Sequence, residues 1–240
     1  MINKIIILFK IARKIGSSDI IKIVDKAHKV PFFIKIFFSL VSLSFNKNQK
    51  KNNNTNDLSS TIQELGTTFI KLGQFLATRP DIIGEELTKN LEKLQDKLPP
   101  FSKSLAENII REELGELTAK NIIEFSEPIA AASIAQVHKA RINEGNTIKD
   151  VAVKILRPKI KETFNSEIDA IMMLAYLVET FIPKTKRLKL IEVVFLFKEI
   201  TNHEMDLRFE AAAANEYSEN TKNDLGFNVP KIYWNFTSES

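Results

Sequence analysis

The sequence predicts an α+β fold, and three observations carry that expectation. Helical periodicity runs to about Glu116 and alternating, turn-punctuated segments run to about Leu156. A second helical stretch then reaches about Asn220, and a closing strand is expected over Val229–Phe236. Helix, strands, helix and strand in that order is the pattern of an α+β domain. An apolar share of 44% against 27% charged residues leaves enough core to fold it. The chain has no cysteine, which excludes disulfides and thiolate metal sites, and His28, His138 and His203 lie too far apart for a zinc motif.

Residues 1–45 form a basic and apolar segment. Up to Lys51 there are eleven Lys and Arg against Asp19 and Asp25, a net of +9, while the whole chain carries +4. Such a tail on a mildly acidic body suits an anionic surface. Its aromatic residues are Phe without Tyr or Trp, which argues against base stacking, so no nucleic acid is expected as partner. Val30–Phe45 is almost wholly apolar but shorter than the ~20 residues that span a bilayer. Lys35, Ser39 and Ser42 make one polar stripe along it. That pattern predicts a helix lying in an anionic membrane interface, with burial against the protein body as the alternative. Residues 46–58 are polar and low in complexity, and read as a flexible linker.

Residues 59–116 read as a helical extension. Ser59 or Ser60 is expected to cap a helix running to Arg79-Pro80. Ile62, Leu65, Phe69, Leu72 and Leu76 give it an apolar face, and Thr67, Lys71, Gln74 and Thr78 a polar stripe. Gly66, Gly73 and Ala77 form a third face. A mid-helix glycine costs about 1 kcal/mol relative to alanine, so Gly73 predicts close approach of another backbone or of a ligand. Pro99-Pro100 breaks the helices, and Ser104 to Glu107 matches a capping box.

Residues 117–240 hold the expected sheet. Pro128–Ser133 is a tight small-residue loop ahead of a strand over Ile134–Ile142. Asn143–Asn146 supplies turn residues, and Val151–Leu156 reads as the second strand of a hairpin. Along that strand Val151, Val153 and Ile155 point one way, and Ala152, Lys154 and Leu156 the other. A lysine beside a small residue suits a site where Ala152 meets a flat base and Lys154 reaches phosphate oxygens. Near residue 200, Glu204, Asp206 and Glu210 are expected on one helix, where Asp206 and Glu210 repel unless basic partners such as Lys154 and Lys71, or a bound cation, relieve them.

Together these residues resemble the UbiB (aarF) group of atypical protein-kinase-like ATPases linked to coenzyme Q biosynthesis, from about Leu58 to the C-terminus. The resemblance rests on Lys71-Leu-Gly73-Gln74, on Ala130-Ala131-Ala132-Ser133, on Val151-Ala152-Val153-Lys154, and on Glu204-Met-Asp206 with Glu210-Ala211. It implies a protein-kinase-like first lobe, a small antiparallel sheet with helices, preceded by a helical extension. Ala130, Ala131, Ala132, Ser133, Ala152, Lys154 and Glu210 would then bind ATP or ADP, with Lys154 pairing to Glu210. Lys71, Gly73, Gln74, Glu204 and Asp206 would be regulatory, with Lys71 reaching over the pocket toward the Glu204/Asp206 pair. The resemblance also implies Mg²⁺, quinone-biosynthesis proteins or lipid-like quinone precursors as partners, and a peripheral place on the cytoplasmic side of a bacterial inner membrane.

The chain departs from the family where a kinase-like site needs a catalytic-loop aspartate, an asparagine and an Asp-Phe-Gly aspartate. No histidine begins a His-x-Asp, and Asp224-Leu-Gly226 reads as a turn. No catalytic or metal-binding residue is therefore assigned, and the chain is expected to end before the hinge and second lobe. Two readings follow: a membrane-peripheral ATPase or kinase-like protein of quinone biosynthesis, inactive as this part alone, or a non-catalytic membrane- or partner-binding fragment with a relic nucleotide site.

Overall fold

The computed structural model describes residues 58–94, 98–145 and 147–240, with Ile6, Ile7, Phe9, Ala12 and Arg13 near the N-terminus. The expected interfacial helix at Val30–Phe45 and residues 46–57 of the expected linker lie outside the described residues, while the linker's last residue, Leu58, is helical and buried. From Leu58 the elements begin with α1 (Leu58–Leu65), α2 (Thr67–Ala77), α3 (Pro80–Ile83), α4 (Glu85–Leu91) and α5 (Lys103–Ala119). Strands β1 (Ile122–Ala131), β2 (Ala135–Glu144) and β3 (Thr147–Leu156) follow. Then come α6 (Ile160–Phe181), a 3₁₀ segment (Pro183–Leu188), α7 (Leu190–Glu204), α8 (Leu207–Thr221) and a short 3₁₀ turn (Trp234–Phe236). The chain divides into two compact units, residues 1–96 with 162–198 and residues 97–161 with 199–240.

In the first unit the expected helix to Arg79 is broken at Gly66. Its φ of +112° and ψ of −177° are open to glycine but not to a helix, so α1 stops and α2 starts afresh on the Gly66 carbonyl. Ser59 and Ser60 lie inside α1 rather than capping it. At 100° per residue the break resets the phase, and α2 buries Thr68, Phe69, Ile70 and Gly73. Leu58, Leu87, Leu91 and Leu94 form one core, joined by Ile62 and Leu76. Farther along, Phe197 of α7 is 1% exposed and meets the rings of Phe75 and Phe164 at centroid distances of 5.6 and 5.7 Å. Burying a side chain of that size contributes roughly 1.5–3 kcal/mol.

In the second unit the strands form an antiparallel sheet in the order β1-β2-β3. The hairpin β2–β3 is regular from Ala135↔Leu156 to Glu144↔Thr147 and turns at Gly145, whose φ is +54°. Both strands outrun their expected limits because Thr147–Asp150 continues the ladder. Strand β1 was not foreseen, and it absorbs Pro128–Ala131, which the sequence placed in a loop. Three register shifts between Ile122 and Ala130 interrupt its alternation, which hides a strand from a period-2 reading. Ala106 and Ile110 of α5 pack with Ile155, joined by Phe101, Phe125 and Val153, and so cover one face of the sheet. That helix is capped by Ser102, whose Oγ accepts from Leu105 N–H at 3.4 Å, so the expected Ser104 box is displaced by two residues. The expected closing strand is also absent from the described residues. Residues 227–233 make no ladder, and the chain is held instead by Leu207 N–H on the Glu239 carbonyl and by Lys231 on Glu144.

Candidate functional site

Alternation along β3 sends Val153 and Ile155 toward α5, while Ala152 and Lys154 leave on the other face and are exposed. The register sets Ala130 opposite Val137 and Val137 opposite Lys154, so the three make one row across the sheet. With strands about 4.8 Å apart, the ends of that row are roughly 10 Å from each other. Lys154 Nζ donates to Glu210 Oε2 at 2.5 Å. Glu210 stands in the first turn of α8, where the helix dipole favours a carboxylate. Both side chains keep contact with water, at 39% and 61% exposure. The pair therefore adds about 1 kcal/mol or less to stability, and its main effect is to fix the ammonium beside the row.

The alanine segment straddles the end of β1 and the turn into β2. Ala130 and Ala131 are strand residues, and Ala132 N–H closes the turn on the Ala135 carbonyl at 2.8 Å. Ser133 is completely buried. A cavity of about 560 Å³ opens beside β3, lined among others by Ile109 and Leu114 of α5, Ala152, Lys154, Glu210 and Tyr233.

Glu204 and Asp206 do not share a helix with Glu210. The chain breaks after Glu204, Met205 is buried, and Asp206 is the N-cap of α8. Its carboxylate accepts from Arg208 N–H at 3.1 Å and takes the Arg208 fork at 2.9 and 2.6 Å. Hydrogen bonding from Arg208 holds the Asp206 carboxyl below the usual carboxylate range despite some burial, and Lys161 adds to the effect. The expected repulsion between Asp206 and Glu210 is thus relieved by Arg208 on one and Lys154 on the other.

Lys71, Gly73 and Gln74 lie on α2 of the first unit, Lys71 and Gln74 half-buried and Gly73 buried. A Cβ on Gly73 would stand 2.3 Å from Leu94 Cδ1, so the tight neighbour is an apolar side chain. Also in that unit, Glu167 of α6 buries Oε2 without a hydrogen-bond partner. Burial pushes its carboxyl up; Thr68 lies near enough to favour the charged form, but without a hydrogen bond of ordinary geometry.

Sequence reasoning missed Arg157, Gln136 and His138. Gln136 and His138 are alternate residues on the covered face of β2, and a polar pair at period 2 in an apolar strand was the available signal. Arg157 gave none, since its bonds to backbone carbonyls leave no trace in the sequence.

An antiparallel sheet whose third strand presents a lysine to a glutamate on a later helix is the first lobe of a kinase-like fold, here with a helical extension and, among the described residues, no second lobe. Residues 93–240 match the ABC1 atypical kinase-like domain, and the chain belongs to that family, the UbiB/aarF group. It is 35% identical over 213 residues to a probable protein kinase UbiB of Marinobacter nauticus, covering 88% of this chain and 38% of that protein. The proteins of the same description from Pseudomonas paraeruginosa and Cellvibrio japonicus are 38% and 35% identical over 176 residues, 73% of this chain and 32% and 31% of theirs. The chain thus spans about a third of the length of these relatives.

Proposed function

We propose that this chain binds ATP or ADP through its second unit, as part of an atypical kinase-like protein that supports ubiquinone biosynthesis. The observation that carries the reading is the Lys154–Glu210 pair on the open sheet face, in register with Ala130 at the head of the alanine-rich turn. Lys154 supplies the charge for phosphate oxygens, Glu210 aims it, Ala152 offers a small surface to the base, and Ala130–Ser133 covers the phosphates. Lys71, Gly73 and Gln74 of the first unit, and Glu204 and Asp206 of the second, are proposed as regulatory residues. The proposal rests on phosphate contacts and assigns no residue to Mg²⁺.

Titration of the purified chain with a fluorescent ADP analogue tests this. Saturable binding is expected, weakened at least tenfold by Lys154→Ala, with no ATP hydrolysis above background. An unchanged affinity in Lys154→Ala removes the lysine from the site, and hydrolysis lost on that substitution would show that the chain is active alone.

The basic N-terminal segment is proposed to hold the protein on an anionic membrane surface, peripherally. No helix of the described residues is long and apolar enough to cross a membrane. Each well-placed lysine contributes about 1 kcal/mol near such a surface, and salt screens it. Flotation with anionic vesicles should therefore be salt-sensitive and lost on removing residues 1–51. Flotation that survives the removal places the membrane contact elsewhere.

A further inference from the structure

We propose that Arg157 is the positioning residue of the alanine-rich turn, fixing it in one conformation beside the Lys154 row; the proposal rests on the nucleotide reading above. Arg157 follows β3 directly. Its Nε and Nη2 both donate to the Ala132 carbonyl, at 3.0 and 2.8 Å. Its own backbone N–H donates to the Ile134 carbonyl at 2.8 Å. One residue therefore grips the turn on both sides of Ser133, by side chain before it and by main chain after it. Charge-assisted hydrogen bonds are roughly twice as strong as neutral ones, and the planar guanidinium fixes their direction.

The other end of the guanidinium is anchored. Nη1 donates to the Pro99 carbonyl at 3.0 Å, and Nη2 reaches the Leu98 carbonyl at 3.4 Å. Two residues on, Gln136 holds Phe101 by both backbone groups, accepting its N–H at 2.9 Å and donating to its carbonyl at 3.2 Å. The second amide hydrogen of Gln136 goes to His138 Nε2 at 2.8 Å. His138 Nδ1 donates to the Ser126 carbonyl at 2.9 Å, which leaves Nε2 as the acceptor. Residues 98–101 are thus pinned at each end, and Pro99 and Pro100 stiffen what lies between. Alanines narrow the backbone choices of the turn relative to glycine. Arg157 selects one of those choices and ties it to a rigid backing.

The test uses the 240-residue chain as wild type, Arg157→Lys and Arg157→Ala. Arg157→Lys keeps the charge and the stem but loses the fork, so it guards against a variant that fails to fold. Amide hydrogen exchange is read at Ala132 and along the β2–β3 ladder around Ala140, and affinity is read with the fluorescent ADP analogue. Arg157→Lys should speed exchange at Ala132 by about tenfold, leave the ladder unchanged and weaken analogue binding about three- to tenfold. Unchanged exchange at Ala132 in both variants overturns the proposal. So does a ladder that opens together with the turn, because Arg157 is then only a brace for the sheet. A loosened turn with unaltered affinity overturns the positioning role. If the wild type binds no analogue, the nucleotide reading fails by itself, and exchange alone decides whether Arg157 holds the turn.

Discussion

The two units are stabilised by different means. The first is held by apolar side chains: Leu58, Leu87, Leu91 and Leu94 in one cluster, and Phe197 against Phe75 and Phe164 in another part. The second also has an apolar core beneath α5, but its candidate site is built from polar groups that keep contact with water. There a lysine meets a glutamate, an aspartate caps a helix, and an arginine grips carbonyl oxygens. Stability and the proposed chemistry are therefore separable by substitution: changes in the apolar core of the first unit should read mainly as unfolding, and changes at the polar end of the second mainly as altered binding.

The largest expected effect comes from Phe197→Ala. Truncating a completely buried Phe costs about 3–5 kcal/mol through lost transfer free energy and the cavity left behind. Glu210→Gln should cost under about 1 kcal/mol, because an exposed ion pair contributes little, yet it should lower affinity for the ADP analogue by freeing Lys154. Urea denaturation of both variants, with analogue binding measured on each, checks the pair. Equal losses of stability would break the contrast between the units.

Part of the fold was legible in the sequence, and the misses have more than one cause. The regular hairpin was readable because Val151, Ala152, Val153 and Lys154 alternate and Gly145 marks the turn. The pairing of Lys154 with Glu210 came from the family resemblance, since residues 56 positions apart carry no local signal of contact. Strand β1 and the break at Gly66 escaped because bulges and a single left-handed glycine shift the period on which such readings depend. The closing strand failed for a different reason. Val229–Phe236 has strand composition, but its stretch of chain is held by scattered bonds to α8, Glu144 and Lys161. Arg157 was invisible because a side chain that bonds to backbone leaves no pattern among side chains.

The smallest effects sharpen the comparison through pH. Asp206 in the second unit has its carboxyl held low by Arg208, so ionisation is easier in the folded chain than in the unfolded one. Its contribution is fully present above about pH 4, the unfolded carboxylate value, and is lost as pH falls through the folded value. Asp206→Ala, which also removes the α8 cap, should therefore cost about 1 kcal/mol at pH 7, and its gap from wild type should narrow toward pH 3. Glu167 in the first unit behaves oppositely. Burial raises its carboxyl, so the charged form is disfavoured in the folded chain. Its stability is fully present below the unfolded value and is lost as pH rises through the folded one. Glu167→Gln keeps the shape without the charge, and should melt above wild type at pH 7 and level with it near pH 4. Melting temperatures of the two variants relative to wild type, taken from pH 3 to pH 7, should differ in sign at neutral pH and converge in acid. A Glu167→Gln variant less stable than wild type at pH 7 would mean that this carboxylate is paired in solution, and that the first unit uses charge as the second does.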